Sequence, residues 1–248
     1  MLSFLVTALG MRHDEDMEHA PTTARARARA ELTEEIKAAA RRQLIEGGPS
    51  ELSLRGVARE LGMVSSAVYR YFASRDELLT ALVIDSYDSL GTVAEEAAAG
   101  GRGGFEARWL HLTRAIRGWA LANPNEYALI YGSPVPGYQA PQDTVVAATR
   151  TVAAGASLVV DGVASGEIDV EQSLPIPRPV RADLIAVREA LAPDVPDSVL
   201  SRTLYAWAQL FGSLTFELFG QYENVIHERD EFFDHQMRRT ARLLMTGG

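Results

Sequence analysis

Residues 53–72, SLRGVARELGMVSSAVYRYF, carry the pattern of two short helices joined by a tight turn. Apolar residues at positions 54, 57, 58 and 61 follow the i, i+3, i+4, i+7 spacing of one helical face. Ser53 is a suitable N-cap for the first helix, and Gly62 follows it where a left-handed residue is favoured. The second helix is expected to begin behind Ser65 or Ser66 and to run to Phe72. Such a pattern is typical of a helix-turn-helix.

The second helix of this motif has a narrow apolar face. Only Val68 and Phe72, spaced i and i+4, need burial, so Tyr69, Arg70 and Tyr71 are expected to point largely outward. An aromatic and basic free surface on the second helix of a helix-turn-helix fits the major groove of DNA. The sequence therefore predicts DNA binding.

Further helices are expected on both sides of the motif. Residues 74–77, Ser-Arg-Asp-Glu, form a capping box that opens a helix with apolar residues at 78, 79, 82 and 83. Upstream, a first helix is expected to end at Gly47-Gly48-Pro49. Its inner stripe comprises Leu32, Ile36, Ala39, Ala40 and Leu44.

The signature of residues 52–79, L-S-L-R-x-V-A-x-E-L-G-x-x-x-x-A-V-Y-R-Y-F-x-S-R-D-E-L-L, resembles the DNA-binding domain of the tetracycline-repressor (TetR) family. The similarity covers about residues 28–83 and differs at Arg75, where the family usually has lysine. It implies an all-α chain with a three-helix helix-turn-helix domain over 24–76 and a larger helical domain over 77–248. It also implies a homodimeric transcriptional regulator, most often a repressor, that binds a palindromic operator and is released by a small ligand.

Nine side chains are expected to contact DNA. The groups in the recognition helix that can reach base edges, a thymine methyl or the backbone are Ser65, Ser66, Ala67 and Arg70. The residues expected to anchor phosphates and fix the register are Tyr69, Tyr71 and Arg75. The residues at the start of the preceding helix that face the backbone and adjoining bases are Ser53 and Arg55.

The charge distribution agrees with a DNA-binding N-terminal part. The net charge of the chain is −9, but residues 22–80 hold ten basic and eight acidic residues, so this part is net positive. An acidic remainder would be held away from phosphates. The absence of cysteine excludes disulfides, thiolate metal sites and cysteine nucleophiles, and it fits a reducing cytoplasm.

The first residues of the chain leave two alternatives open. Residues 1–10 are apolar but lack the basic segment of a signal peptide, so residues 1–23 are interpreted as an overextended start or a disordered arm. Arg25, Arg27 and Arg29 alternate with alanine before the inner stripe of the first helix. They are either a solvated helix face or a basic arm that touches the DNA backbone or minor groove.

The larger part of the chain has helical periodicity throughout. Helices are predicted near 76–98, 105–122, 124–132, 143–165, 181–192, 198–222 and 229–246. Three prolines within 174–179 are expected to exclude helix there. The last two helices carry a large apolar load and are expected to form the homodimer surface. No apolar run is long enough to predict a membrane span.

A second resemblance concerns this larger part. Residues 119–138 with Ala140-Pro141, and the segment Trp207–Gly212, are similar to the regulatory domain of actinobacterial-type TetR relatives of the Trp-His-Gly class. Phe211 stands where that class often has histidine. The similarity implies a domain that binds a small ligand and forms the dimer.

Aromatic residues near a proline-stiffened loop allow two interpretations. Either the tyrosines simply pack with their hydroxyls bonded to the backbone, or a pocket lies between the helices. The residues expected in its wall are Trp109, Trp119, Tyr131, Tyr138, Trp207 and Phe211. The tyrosines, Gln209 and His111 could supply polar contacts to a largely apolar ligand, aromatic or polycyclic and neutral or cationic.

No motif for catalysis, a metal or a cofactor is present. The five histidines lack ligand spacing, and neither a nucleophile elbow nor a phosphate-binding loop occurs. The sequence therefore predicts a regulator without enzymatic activity. The alternative is an interaction protein of the same fold that uses DNA only for localisation and represses no specific promoter.

Overall fold

The structure, a computed structural model, describes residues 23–48, 51–171 and 175–246. These residues form ten α-helices and no strand, which confirms the all-α prediction. The helices are α1 Ala24–Gly47, α2 Leu54–Glu60, α3 Ser65–Val68, α4 Arg75–Gly100, α5 Phe105–Ala122, α6 Pro124–Tyr131, α7 Thr144–Ala164, α8 Arg178–Leu191, α9 Asp197–Leu218 and α10 Arg229–Thr246. The predicted N-terminal arm or overextended start lies outside the described residues, except for Thr23, which caps α1.

Two compact units divide the described chain. The N-terminal unit comprises the described residues within Arg12–Ser86 together with Asn125–Thr144. The C-terminal unit comprises Tyr87–Pro124 and the described residues from Val145 onward. The boundary between Ser86 and Tyr87 falls inside α4.

The N-terminal unit has its own apolar core. The first helix contributes Ile36, Ala39 and Ala40 as predicted, whereas Leu32 and Leu44 are only partly buried. The remaining core residues come from α2, α3 and α4 and the segments beside them: Leu52, Leu54, Val57, Ala58, Val68, Phe72, Leu78, Leu79 and Leu82. The alternation of buried and exposed positions in 53–72 therefore gives the helix-turn-helix its fold.

Local capping fixes the ends of these helices. The Ser53 hydroxyl accepts a hydrogen bond from the Gly56 N–H at 3.1 Å, and Gly62 adopts a left-handed φ of 66° that ends α2. At the start of α4, the Glu77 N–H donates to the Ser74 hydroxyl at 3.1 Å. Glu77 reaches back to the Ala73 N–H rather than to that of Ser74. The predicted caps at Ser53, Gly62 and Ser74 are thus confirmed.

Helix α3 is shorter than predicted and begins one residue earlier. Its N-cap is Val64, which is extended and offers no capping side chain, so neither Ser65 nor Ser66 caps it. The N–H groups of both Tyr71 and Phe72 donate to the Val68 carbonyl, at 2.9 and 3.1 Å. This tightening ends the helix after Val68 and turns Phe72 into the core.

The C-terminal unit is built around α5, which packs against α9 and α10. The indole N–H of Trp109 donates to the Thr240 hydroxyl at 3.0 Å, and both residues are buried. Arg117 on α5 forms a bidentate ion pair with Glu217 on α9, at 2.9 and 2.7 Å. The last two predicted helices therefore form the unit's core together with α5.

Two helix ends in this unit differ from the prediction. Helix α8 begins at Arg178, with Pro177 as its N-cap and Pro179 in its first turn, because a proline there removes no intrahelical hydrogen bond. Helix α9 ends at Leu218 rather than near residue 222. Gly220 follows with a left-handed φ of 77°. A right-handed α-helix cannot continue through a residue in that conformation.

Helix α7 is long and apolar enough, by length and composition alone, to cross a membrane. It nevertheless carries Arg150 on one face, where the guanidinium bonds Asp88 and Glu95 of α4 at 2.8 and 2.6 Å. Its other faces include buried residues and part of a cavity wall. We therefore interpret α7 as a core helix of the C-terminal unit.

Candidate nucleic-acid interface and ligand cavity

All nine predicted DNA contacts lie in the N-terminal unit, at the start of α2, in α3 and its following turn, and at the start of α4. The exposed ones are Ser53, Arg55, Ser66, Tyr69 and Arg70, and the half-buried ones are Ser65, Ala67, Tyr71 and Arg75. Val68 and Phe72 are buried at 0% and 6% exposure, as predicted for core residues. Tyr69 and Arg70 therefore point outward as expected, whereas Tyr71 packs partly against the core of the unit.

The start of α2 is held by residues that the sequence analysis missed. The Ser53 N–H donates to Gln43 Oε1 of α1 at 3.2 Å. A Cβ at Gly56 would lie 2.8 Å from Gln43 Nε2 and 2.9 Å from Ser53 Oγ. Gly56 therefore permits α1 to approach the Ser53 cap. A glycine inside a short helical pattern was the available signal for this close approach.

Arg29 supports the turn that follows α3. Its guanidinium lies over the Tyr71 ring, 4.8 Å from the centroid, and its Nη2 donates to the Arg70 carbonyl at 3.4 Å. Arg25, Arg27 and Arg29 all lie inside α1 and are exposed. The structure therefore agrees with the first of the two interpretations, in which these arginines lie on an exposed helix face.

Several cations of the N-terminal unit are bound to carboxylates in ion pairs. Lys37 and Arg41 bond the Asp85 carboxylate, at 2.8 and 2.5 Å. Burial lowers the Lys37 pKa, but the hydrogen bonds with Asp85 and Glu34 outweigh it and raise that pKa above its usual value. Arg75 is also engaged, at 3.2 Å from Asp76.

By contrast, the guanidinium groups of Arg55 and Arg70 form no ion pair with any described residue. Both side chains are exposed. Arg55 lies in α2, and Arg70 lies in the turn directly after α3. Their charge is not compensated by a neighbouring carboxylate and can meet a phosphate or a guanine edge.

A cavity of about 260 Å³ lies inside the C-terminal unit. Helices α5, α7, α8 and α9 and the loop before α9 contribute its wall, with Trp109, Val159, Val187, Leu204 and Trp207 among the lining residues. The one hydroxyl in the wall, that of Thr203, donates to the Val199 carbonyl at 2.9 Å. No charged side chain among the described residues lines this cavity.

Two of the six predicted pocket residues, Trp109 and Trp207, line this cavity. Trp119 instead donates its indole N–H to the Ser89 hydroxyl at 2.9 Å, and Phe211 packs on the Trp207 ring at 5.2 Å. Gln209 lies in an open groove of α9 and α10, and His111 is exposed.

The two tyrosines expected in the wall belong to the N-terminal unit. Tyr131 packs on Tyr127, with ring centroids 5.2 Å apart. Tyr138 packs against the helix-turn-helix core and shares a 3.0 Å hydrogen bond with the Thr80 hydroxyl. Burial raises the pKa of this tyrosine above its usual value. Both tyrosines therefore pack, as the alternative interpretation has it, but the Tyr138 hydroxyl bonds the Thr80 side chain rather than the backbone.

Comparison with known proteins gives matches over both units. The family profile "Bacterial regulatory proteins, tetR family" matches residues 36–82, and the profile "Tetracyclin repressor-like, C-terminal domain" matches residues 109–240. The HTH-type transcriptional regulators Rv1816 of Mycobacterium tuberculosis and Mb1846 of Mycobacterium bovis are each 40% identical over 220 residues, covering 88% of this chain and 94% of theirs.

Solved structures show the same fold. The putative regulatory protein SCO4313 superposes with a TM-score of 0.73 at 35% identity, covering 88% of this chain and 98% of that one. A protein of unknown function from Rhodococcus sp. RHA1 superposes with a TM-score of 0.67 at 24% identity, covering 94% and 100% of the two chains.

Proposed function

Because the chain belongs to the TetR family of transcriptional regulators, we propose that it binds a palindromic operator as a homodimer, represses the adjacent promoter and is released by a small, largely apolar ligand. The family consists of DNA-binding regulators rather than enzymes. Repression, the dimer and the ligand response are the parts of this proposal that go beyond family membership.

One observation supports operator binding most directly. Arg55 and Arg70 are exposed on the helix-turn-helix and form no ion pair with a described residue, and the same holds for Arg59 of α2 and for Arg25, Arg27 and Arg29 of α1. Lys37, Arg41 and Arg42 of α1 are instead paired with Asp85 and Glu60. A surface cation without a partner gains more from a phosphate than one already bonded. The cations without an ion pair thus lie in the first turns of α1, in α2 and in the turn after α3, and this distribution supports DNA binding by the helix-turn-helix.

An apolar stripe on α9 supports the homodimer. Its positions repeat at intervals of three and four residues, and its members are Tyr205, Ala208, Gly212, Phe216 and Phe219. Tyr205, Phe216 and Phe219 are 57%, 51% and 45% exposed, which is unusual for large apolar side chains along a single helix face. A second copy of the chain, packed across a two-fold axis, would cover this stripe and place two recognition helices on a palindrome.

The cavity supports a response to an apolar ligand. Protein interiors rarely leave voids larger than a water molecule, and apolar cavities of about 150 Å³ stay dry and take up benzene. The cavity here is larger, about 260 Å³, and no carboxylate or cation among the described residues faces it. We therefore narrow the ligand to an uncharged hydrocarbon-like molecule of roughly ten carbon atoms.

The decisive experiment selects genomic DNA fragments with the purified protein and sequences them. A regulator is expected to retain one or a few palindromes near its own gene or a neighbouring one. Many dispersed sites would instead indicate the DNA-localised interaction protein, and no enrichment would contradict DNA binding altogether. The double variant Arg55→Ala/Arg70→Ala serves as the matched control, since both side chains are exposed and contribute nothing to the core.

A further inference from the structure

Val64, in the turn directly before α3, is an unfavourable residue for the folded protein in two respects. Its side chain is 70% exposed, and no other large hydrophobic side chain among the described residues is more exposed. It also occupies the N-cap of α3 and forms no side-chain capping bond there. Serine, threonine, asparagine and aspartate are preferred at this position, and valine is among the poorest residues. A residue that departs from two local preferences of the folded chain points to a function outside the free protein.

The neighbours of Val64 restrict what that function can be. Residues 62–69, GMVSSAVY, include no arginine, lysine, asparagine, glutamine or acidic residue. These are the side chains that bond purine edges with two hydrogen bonds or accept from cytosine. In this segment the exposed side chains are the isopropyl group of Val64, the Ser66 hydroxyl and the Tyr69 ring, and Met63, Ser65 and Ala67 are half-buried.

Among the base edges of the major groove, one group is apolar. The C5-methyl of thymine is absent from the other three bases and is recognised by apolar contact. The residues at the beginning of a recognition helix are those that meet base edges in a helix-turn-helix complex. Resting on the proposed operator binding, we infer that Val64 packs against a thymine C5-methyl in each half-site and thereby determines specificity at that base pair.

The expected effect follows from the area of one methyl group. Burial of a group of this size is worth roughly a fourfold change in affinity, and a homodimer makes the contact twice. Loss of the methyl from both half-sites should therefore weaken binding by roughly 15-fold. Phosphate contacts are unchanged by this loss, so the salt dependence of binding should stay the same.

The test uses an operator obtained by fragment selection. Each thymine is replaced in turn, symmetrically in both half-sites, by deoxyuridine, which removes the methyl and leaves base pairing intact. The wild-type protein should lose roughly 15-fold in affinity at one position. Val64→Ala should bind the unmodified operator more weakly and should lose less than about twofold on the same replacement. Val146→Ala, equally exposed on α7 at 70%, should respond as the wild type does.

Three results would overturn the inference. One is an operator in which no deoxyuridine replacement weakens wild-type binding. Another is equal sensitivity of wild type and Val64→Ala at every position. The third is sensitivity that disappears in Ala67→Gly but persists in Val64→Ala, which would assign the methyl contact to Ala67. In each case the operator is still bound, so the proposed function stands. Absence of selective binding to any fragment would instead end both proposals.

Discussion

The indole ring of Trp207 lies directly against the backbone of α7 at Gly155. A Cβ at this glycine would be 2.7 Å from Cζ3 of the indole, a distance that real side chains do not tolerate. Both residues line the cavity. The absence of a side chain at position 155 therefore allows the Trp207 indole to occupy its observed position in the wall.

Gly155→Ala is therefore expected to displace the indole and to cost about 1–3 kcal/mol of stability through overpacking. The melting shift and the tryptophan quenching produced by apolar ligands should both diminish, while operator binding without ligand should persist. Gly118→Ala is the matched control, because nothing lies within 4 Å of a Cβ at that exposed position of α5. It should stabilise the protein by about 0.4–1 kcal/mol. Equal ligand responses in the two variants would contradict the assignment of the cavity as the ligand site.

Mutations should distinguish two kinds of operator contact, those to phosphates and those to base edges. Arg75→Ala and Tyr69→Ala are expected to weaken binding to the operator and to random DNA alike, and Arg75→Ala should reduce the salt slope by about one. Arg70→Ala should cost about 1–3 kcal/mol and relax the preference at one base pair if its contact is a guanine edge. Titrations at several salt concentrations measure both quantities. Unchanged affinity in all three variants would contradict the proposal that α3 binds in the major groove.

The oligomeric state should depend on the stripe on α9. The wild type is expected to scatter light as twice the 27.0 kDa of one chain at micromolar concentration. Phe216→Glu introduces a charge into that stripe, so it should shift the population to a 27.0 kDa species and weaken operator binding. Val146→Glu, at a more exposed position outside the stripe, should leave the mass unchanged. A wild-type protein of single-chain mass would rule out the dimer.

The buried ion pair between Arg117 and Glu217 makes removal of one partner costly. The side chains are 12% and 6% exposed, so Glu217→Ala leaves a largely buried guanidinium paired only with the exposed Asp230 among the described carboxylates. It should cost about 3 kcal/mol in urea denaturation. Arg117 donates hydrogen bonds to Glu217, and these raise the pKa of the guanidinium. In the variant these bonds are gone, but a guanidinium stays protonated at neutral pH without them. Replacing both residues by methionine and leucine should recover most of the loss. Asp230→Asn, which alters a partner that is 83% exposed, should cost less than about 1 kcal/mol.

Stability in acid should depend on Glu167. This carboxylate accepts the Phe105 N–H at the start of α5 at 2.5 Å, and chiefly for that reason its pKa lies below the usual value. A pKa that is lower in the folded state stabilises the protein above the unfolded pKa of about 4.3, and the contribution is lost as the pH falls through the folded pKa. Glu167→Gln should therefore be less stable than wild type by about 1 kcal/mol at pH 7. The stabilities of the two proteins should converge as the pH falls through the folded pKa of Glu167, and a constant difference in melts from pH 7 into acid would contradict the role of the charge.

The ends of the helices in the helix-turn-helix could be predicted from the sequence, because each is determined by residues only three or four positions apart. The caps at Ser53 and Ser74 and the left-handed Gly62 are each recorded in three or four neighbouring residues, and the structure has all three. The length of α3 was not readable, because it depends on how tightly Phe72 must turn into a core formed by other helices. Periodicity specifies that a face is buried but does not specify against which partner.

The cavity shows this limit most clearly. Tyr138 and Trp207 are both aromatic and flanked by apolar residues, but Tyr138 joins the core of the N-terminal unit through Thr80 and Trp207 lines the cavity beside Gly155. These partners lie more than fifty residues away in sequence, so no local pattern distinguishes the two aromatic residues. Gly155 itself sits in an alanine-rich helix where a glycine carries no visible signal.

The hydrogen bond between Trp109 and Thr240 spans 131 residues of sequence, and it has a consequence for biosynthesis. At about 5–20 residues per second, a ribosome needs roughly 7–26 seconds to travel from one codon to the other. Helix α10 is the final helix described, so α5 emerges from the exit tunnel long before the helix against which it packs. During that interval the apolar side of α5, including Trp109, has no native partner from α10. The nascent chain is therefore expected to expose this side of α5 to holdase chaperones until α10 has emerged from the ribosome and can pack on it.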